Sequence, residues 1–350
     1  MKELRAGLTV YNEQTIMLPE EQLIQRIVRA FGRPRSRRRL PVGIGDDTAV
    51  FAALHGARWA ISTDQFLEGT HFLPSIHPPQ MAGYKSLARA ASDLAAVGAR
   101  PRFFLLSLAL PARHSDAWLS AFARGMAQAA RHLEMTLIGG DTSRLSSGRG
   151  VNASLTVLGE LAARPMLRSG ARPGDAIFLT GTAGAAQLGL TLLLRRQSVR
   201  RVPAALLRRH LRPEPRIALG CWLARRKLAT AAIDTSDGFS TDLHRLCAAS
   251  GVGARLEWSL IPAVRIPPGR AYARLDREQI VLHGGEDYEL LFTVPGRLAQ
   301  RLPQVWRGIC ITPIGRITRS REIRILGSDG SSRLLPARGW DPFADRKLRL

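Results

Sequence analysis

A two-domain fold that mixes strands and helices, α/β or α+β, is what this sequence predicts. Three observations carry the prediction. The chain has 350 residues, long for one hydrophobic core, so two domains are the default. Short apolar runs with strand character alternate with longer helical patterns in both halves, which excludes a helical bundle. A turn-rich segment, Arg168 to Asp175, interrupts the alternation near the middle. The expected division is an N-terminal extension over 1–16, a first domain over 17–165 and a second over 166–350.

Residues 1–16 show no clear period. After Pro19, the spacing of Leu23, Ile24, Ile27, Val28 and Phe31 predicts a helix closed by Gly32. The arginine-rich segment 33–39 reads as a solvated loop. Trp59 to Ile61 reads as a short strand delivering Ser62, Thr63 and Asp64 at its end. A helix is expected over 79–97, a buried strand over 103–110 and a second helix over about 115–133. Met135 to Ile138 is a strand that runs into Gly139, Gly140 and Asp141, and 151–161 is another. In the second half, 176–180 reads as a strand, followed by Gly181, Gly184 and a long apolar helix. A helix over about 215–228 precedes the strand Ala231 to Ile233, which ends at Asp234. A helix over about 239–250, a strand over 253–258 and a strand over 288–294 complete the pattern. No fixed-period repeat is evident.

With 45% hydrophobic and 23% charged residues, the chain has the composition of a soluble globular protein. No apolar run reaches the length of a membrane span, and the N-terminus has no signal-like hydrophobic stretch. Cys221, Cys247 and Cys310 are too few and too scattered for a disulfide frame or a zinc site, so a reducing cytoplasm is the simplest home. The formal net charge is +23. A nucleic-acid face would concentrate that charge in a stripe with interleaved aromatics. Only Arg33 to Arg39 is dense, and it contains no aromatic. Arginine has replaced lysine almost throughout, as in a GC-rich genome, and solvated surface is the better account.

Against this arginine background, aspartate recurs beside glycine or a hydroxyl residue. The clusters are Gly43 to Asp47, Ser62 to Asp64, Ser92-Asp93, Gly139 to Thr142 and Asp234 to Gly238. Carboxylates brought together repel each other and any anionic substrate, by roughly 4 kcal/mol per unit pair at 4 Å near a surface. A hard divalent cation removes the conflict, and Mg²⁺ takes one or two carboxylates plus substrate phosphates. These clusters therefore point to a Mg²⁺–nucleotide site assembled from loops distant in sequence. A lone aspartate in a turn is usually a cap. Asp93 differs, because it lies in an alanine-rich helix where burial without a partner is costly. The obvious alternatives fail on spacing. Gly43-Ile44-Gly45 lacks the third glycine of a dinucleotide fingerprint, Asp234 to Gly238 departs from a calcium loop, and Walker A and protein-kinase signatures are absent.

Taken in order, the segments resemble the thiamine-monophosphate kinase family, within the superfamily of aminoimidazole-ribonucleotide synthetase and selenide water dikinase. The match includes GIGDD at 43–47, ISTD at 61–64 with THF at 70–72, SDLAAVGA at 92–99 and LIGGDT at 137–142. It continues with LRSGARPGD at 167–175, RHLRPEPR at 209–216, AIDTSDG at 232–238, HGGEDYEL at 283–290 and Gly339-Trp340-Asp341. The resemblance implies a two-domain aminoimidazole-ribonucleotide-synthetase-like fold whose N-terminal domain pairs across a homodimer. It implies transfer of the ATP γ-phosphoryl group onto thiamine monophosphate, giving thiamine diphosphate and ADP. Asp47, Ser62, Thr63, Asp64, Asp93, Asp141, Asp234 and Asp237 would surround several Mg²⁺ ions. Gly140, Asp141, Arg168 and Ser236 would contact ATP, and His71, Glu286 and Trp340 would contact thiamine monophosphate. Ala90 departs from the asparagine usual in the family. Residues 1–16 precede the usual start, so Met17 initiates the chain or the segment is a disordered tail.

The acceptor phosphate is already ionised at neutral pH, so such a reaction needs no general base. Alignment and neutralisation of two anions suffice. Two other readings stand beside this one: the same fold acting on another small phosphorylated or carboxylated metabolite, and a basic nucleic-acid-binding protein on a degenerate scaffold. Trp340 and the HGGED segment weigh against the first, and retention of every acidic cluster weighs against the second.

Overall fold

The computed structural model describes residues 22, 24–25, 40–42, 44–53, 57–111, 115–146, 150–195, 202–269 and 272–343. The extension over 1–16, the loop over 33–39 and Gly43 lie outside the described residues. So does the expected helix over 19–32, except that Gln22, Ile24 and Gln25 are helical. Residues 36–340 form one compact unit that contains two sheets.

The first half runs β1 (Ala49–Ala52), β2 (Arg58–Leu67), α1 (Pro79–Val97), β3 (Arg100–Leu110), α2 (Asp116–His132), β4 (Thr136–Arg144) and β5 (Asn152–Leu161). Its five strands lie in the order β1-β2-β5-β3-β4. Only β3 and β4 are parallel, joined by the α2 crossover; the other pairs are antiparallel. The helix α1 has the limits expected from the sequence. Pro79 sits in its first turn, where the missing N–H costs nothing, and Gly98 closes it at φ 77°. The helix α2 is capped by the Ser115 side chain, which accepts from the Trp118 amide.

The second half holds β6 (Ala176–Thr180), α3 (Ala185–Leu194), α4 (Ala204–Leu211), α5 (Ile217–Arg226), β7 (Ala231–Asp234), α6 (Phe239–Ser250), β8 (Gly253–Glu257), α7 (Arg277–His283), β9 (Leu290–Val294), α8 (Gly296–Ala299), β10 (Val305–Trp306), β11 (Ile309–Thr318), β12 (Ile323–Leu326) and β13 (Ser332–Leu334). The order in its sheet is β13-β12-β8-β11-β6-β9-β7, with β10 paired to β11. Both sheets are mainly antiparallel, which settles the choice between α/β and α+β in favour of α+β.

Three of the boundaries that differ from expectation bear on the site. The strand β2 continues through Ser62, Thr63 and Asp64 instead of ending before them. Their polarity hides the strand, because the face that carries Ser62 and Asp64 meets charged side chains of α1. The strand β4 likewise continues through Gly139, Gly140 and Asp141. Its register against β3 slips by one residue at Ile138. A Cβ at position 140 would lie 1.8 Å from the Leu106 carbonyl oxygen, so only glycine lets the two strands close. The strand β9 begins at Leu290, not Tyr288, because Glu286 and Tyr288 have φ of 68° and 50° and cannot pair in a ladder.

The helix α1 organises the unit. It packs on β2 and β5 of the first sheet, on α2, and also on β7 and α5 of the second half. Leu87, Ala91 and Leu94 join the first core, whereas Ala95 and Ala96 join Phe178, Leu219 and Phe292 in the other. A helix enclosed on most sides needs small residues, which explains its alanines. Any charged residue on it must then find a buried partner.

Candidate active site

Lys85, Arg89 and Asp93 follow one another at intervals of four on α1 and so share one face. Each finds its partner. Lys85 is fully buried and its ammonium lies 2.8 Å from Glu286. Arg89 Nη2 donates to Asp64 Oδ1 at 3.2 Å, with its Nε 3.0 Å from Oδ2. Asp93 Oδ2 accepts from Ser62 Oγ at 2.5 Å.

Asp93 also meets two carboxylates from elsewhere. Oxygen atoms of Asp47, Asp93 and Asp234 all lie within 4.8 Å of one another. Asp234 ends β7 and Asp47 precedes β1, and both are buried. Burial and the charges of Asp234, Asp47 and Asp64 push the Asp93 carboxyl well above its ordinary value. Burial and Asp47 push Asp234 up to about 7. Ser92 is close enough to favour the Asp234 anion without reaching hydrogen-bond geometry, and Asp234 Oδ2 is buried with no hydrogen-bond partner. Arg168 offsets part of this charge: its Nη2 and Nε donate to Asp47 at 3.0 and 3.2 Å, and its amide donates to Asp46. Like charges gathered in a dry place, with an acceptor left over, form a donor set for a hard divalent cation.

The loop after β7 is held against the segment before β9 by main-chain bonds. The Glu286 amide donates to the Ser236 carbonyl, and the Tyr288 amide to that of Thr235, at 2.8 and 2.9 Å. Positive φ at Glu286 and Tyr288 is backbone strain of the kind that collects at working sites. Asp237 pairs with Arg245, and its carbonyl accepts from the Trp340 amide at 2.7 Å. Trp340 is 41% exposed. The C-terminal tail therefore reaches the acidic cluster despite its distance in sequence.

Not every expected residue faces this centre. Thr63 alternates away from Ser62 and Asp64 on β2, and its hydroxyl pairs with Thr156 on the opposite face. Asp141 is exposed on β4, where its carboxylate accepts from Ser143. His71 Nδ1 accepts from the Leu67 amide at 3.0 Å. Burial, with Arg89 nearby, lowers its pKa to about 3, so the ring is neutral.

The AIR synthase related protein families match in both halves, the N-terminal domain over residues 45–161 and the C-terminal domain over 172–327. Thiamine-monophosphate kinase of Escherichia coli strain K12 is 41% identical over 331 residues, covering 91% of this chain and 97% of that protein. The chain belongs to the thiamine-monophosphate kinase family. Among solved structures, AaThiL complexed with AMPPCP and TMP has a TM-score of 0.78 at 29% identity, covering 95% of this chain and 99% of that one. Thiamine-monophosphate kinase from Stenotrophomonas maltophilia K279a has a TM-score of 0.70 at 34% identity, covering 90% and 98%.

Around the candidate site of this thiamine-monophosphate kinase family member lie charged residues that its motifs did not announce. Lys85, Arg89 and Arg245 pair with Glu286, Asp64 and Asp237, and Asp242 pairs with Arg245. Asp242 caps the loop after β7 by accepting from the Asp237 and Gly238 amides. One signal was available: Lys85, Arg89 and Asp93 stand four apart in a helix otherwise rich in alanine. Arg245 carried only the weaker signal of Asp242 three residues before it on the same helix, and its pairing with Asp237 depends on the loop after β7.

Proposed function

We propose that this centre transfers the γ-phosphoryl group of ATP directly onto the phosphate of thiamine monophosphate, giving thiamine diphosphate and ADP. The observation that carries the proposal is the trio Asp47, Asp93 and Asp234, whose oxygens lie within 4.8 Å of one another while burial and neighbouring acids push the Asp93 and Asp234 carboxyls up. An all-oxygen set with an unsatisfied buried acceptor suits Mg²⁺. We assign Asp47, Asp93 and Asp234 as its holders, with Ser62, Asp64 and Asp237 at the margin of the site. When bound, Mg²⁺ would neutralise phosphate oxygens as charge moves between donor and acceptor.

The remaining work falls to the chain's own side chains. Arg168 is positioned by Asp46 and Asp47 to offer a fixed guanidinium to a nucleotide phosphate. Gly140, Asp141 and Ser236 are assigned to ATP on the strength of their motifs. Trp340 and Glu286 frame the thiamine side, an aromatic face for a flat cation and a carboxylate near it. His71, neutral and half-buried, completes that assignment. No side chain is needed as general base.

The first sheet bears on assembly. Its face away from α1 exposes Phe103 and Leu105, with Trp59 stacked on Phe103 at 5.9 Å. An uncovered apolar sheet face of this kind supports pairing with a second copy of the chain. Among the described residues no helix is long and apolar enough to cross a membrane, and the three cysteines are unpaired. We place the protein in the cytoplasm on that basis. An ADP-release assay with and without thiamine monophosphate tests the activity. Acceptor-dependent release that EDTA abolishes is expected; release independent of acceptor, or unaffected by EDTA, would refute the reading. Sedimentation tests the dimer.

A further inference from the structure

The sequence singles out RHLRPEPR at 209–216, yet no residue of the acidic centre comes from it. In the structure this motif forms much of a separate cavity of about 350 Å³ in the second half. Arg208, Arg209, Arg212, Arg216 and Arg307 line it, with Glu214 and Cys310. Glu289 lies at its edge, beside Gly181.

The charges are unevenly matched. Glu289 is buried and accepts from both Arg209 and Arg216, the latter at 2.7 Å from Nε. Burial pushes its carboxyl up, but Arg216 and Arg209 hold it below the ordinary value, so it is an anion. Glu214 is half-exposed and lies 3.9 Å from Arg216. Among the described residues, no carboxylate is within ion-pair distance of Arg208, Arg212 or Arg307. Arg212 and Arg307 instead lie over the rings of Tyr84 and Trp306, at 4.5 and 4.9 Å. Five arginines against two glutamates leave three positive charges around one cavity.

Four of these five cations, all but Arg208, have a contact that holds them in place. Pro213 and Pro215 restrict the backbone on either side of Glu214 and disfavour the helical region for the residues before them. Arg212 has φ −136° as the residue after α4, and Arg216 is buried. Aromatic faces pin two of the other guanidinium planes without neutralising them. Preorganised guanidinium groups without acidic partners form a site for oxyanions, which they bind through charge-assisted hydrogen bonds.

We infer that this cavity binds the diphosphate group of a small molecule. A diphosphate ester carries about the three charges that the cavity leaves unmatched, whereas a monophosphate carries at most two. Both products of the reaction proposed above, ADP and thiamine diphosphate, contain this group. Choosing between them rests on that reading; the diphosphate preference does not.

The test is calorimetric titration of the full chain in EDTA, at near-physiological salt, where the metal-free acidic centre repels anions. The probes are inorganic diphosphate, ADP, thiamine diphosphate and sulfate. Diphosphate should bind at one site per chain at least about tenfold more tightly than sulfate. The tighter of the two organic probes identifies the source. The double variant Arg208→Gln/Arg307→Gln should lose at least about tenfold in diphosphate affinity. Its melting temperature without ligand should be unchanged, since Arg208 is exposed and neither residue has a described acidic partner. Diphosphate binding no tighter than sulfate, or undiminished in the double variant, would overturn the inference. Kinase turnover, measured separately, reports on the acidic centre alone.

Discussion

Lys85 Nζ lies 2.8 Å from Glu286 Oε1 and 2.9 Å from Oε2, and the ammonium is wholly buried. This pair joins α1, which carries Arg89 and Asp93, to the strained segment before β9. Burial pushes the Glu286 carboxyl up, but Lys85 and His210 together hold it well below its ordinary value. The His210 ring is itself buried and donates or accepts at 2.9 Å with His77. A charge placed this deep is stable only while its partner remains.

Replacement of Lys85 by Met should therefore cost about 3–5 kcal/mol, the scale for leaving one buried charge unpaired. The double variant Lys85→Met/Glu286→Gln should lose less than the single one, because neither charge is left alone. The sign of the pH effect follows from the depressed carboxyl. Its stabilisation is present above the unfolded value and is lost as pH falls through the folded one. Urea unfolding across the acid range should show a flatter profile for Lys85→Met. Equal losses in the single and double variants would dismiss the pair as the cause.

Asp93→Asn separates function from stability. The amide oxygen can still accept from Ser62, while the charge crowded by Asp234, Asp47 and Asp64 is gone. Turnover should fall roughly 10²–10³-fold, as for loss of one electrostatic stabiliser. The metal-free variant should nonetheless melt at a higher temperature than the metal-free wild type, because repulsion is relieved. Loss of both activity and stability would return Asp93 to a structural role.

Asp287 accepts from the Gly184 and Ala186 amides at the start of α3, and burial pushes its pKa up to about 7. The folded state thus holds a proton that the unfolded state releases near pH 4. The resulting cost to stability grows as pH rises from about 4 and is complete above the folded value near 7. Asp287→Asn carries no such proton. Relative to wild type, its unfolding free energy should rise over that window in chemical denaturation. A constant difference across the window would contradict the assignment.

Trp340 is tethered through its backbone to Asp237 and is substantially exposed. If its ring faces thiamine, Trp340→Ala removes a contact worth about 0.5–2 kcal/mol. The apparent KM for thiamine monophosphate should then rise by up to roughly thirtyfold. The KM for ATP should hardly change, and the melting temperature should fall only slightly, since Trp340 is 41% exposed. A lowered melting temperature with an unchanged acceptor KM would make it a packing residue.

The α1 limits could be read directly, because proline, alanine spacing and glycine all act within the helix. The acidic clusters were equally legible as chemistry: Asp47, Asp93 and Asp234 stood out against the arginine background and do converge. The extents of β2 and β4 were not. Their polar residues look like loop until the opposing element is known, since Ser62 answers Asp93 and Gly140 answers Leu106. The helices α4 and α7 were missed as well, and each is short enough that tertiary packing outweighs local propensity.

By itself the sequence determined the kinds of residue available, many of the elements as far as β9 and the family to which the motifs belong. These depend on local propensity and on patterns that lie within a few residues of each other. Only the tertiary structure decided which charges are paired. Arg89 with Asp64, Lys85 with Glu286 and Arg245 with Asp237 join positions whose proximity depends on packing around α1 and the loop after β7. It also decided that Thr63 faces away from Asp93, because strand alternation assigns a face only once the strand is known to continue. Electrostatic energies depend on distance and burial, and neither quantity is written in the order of residues.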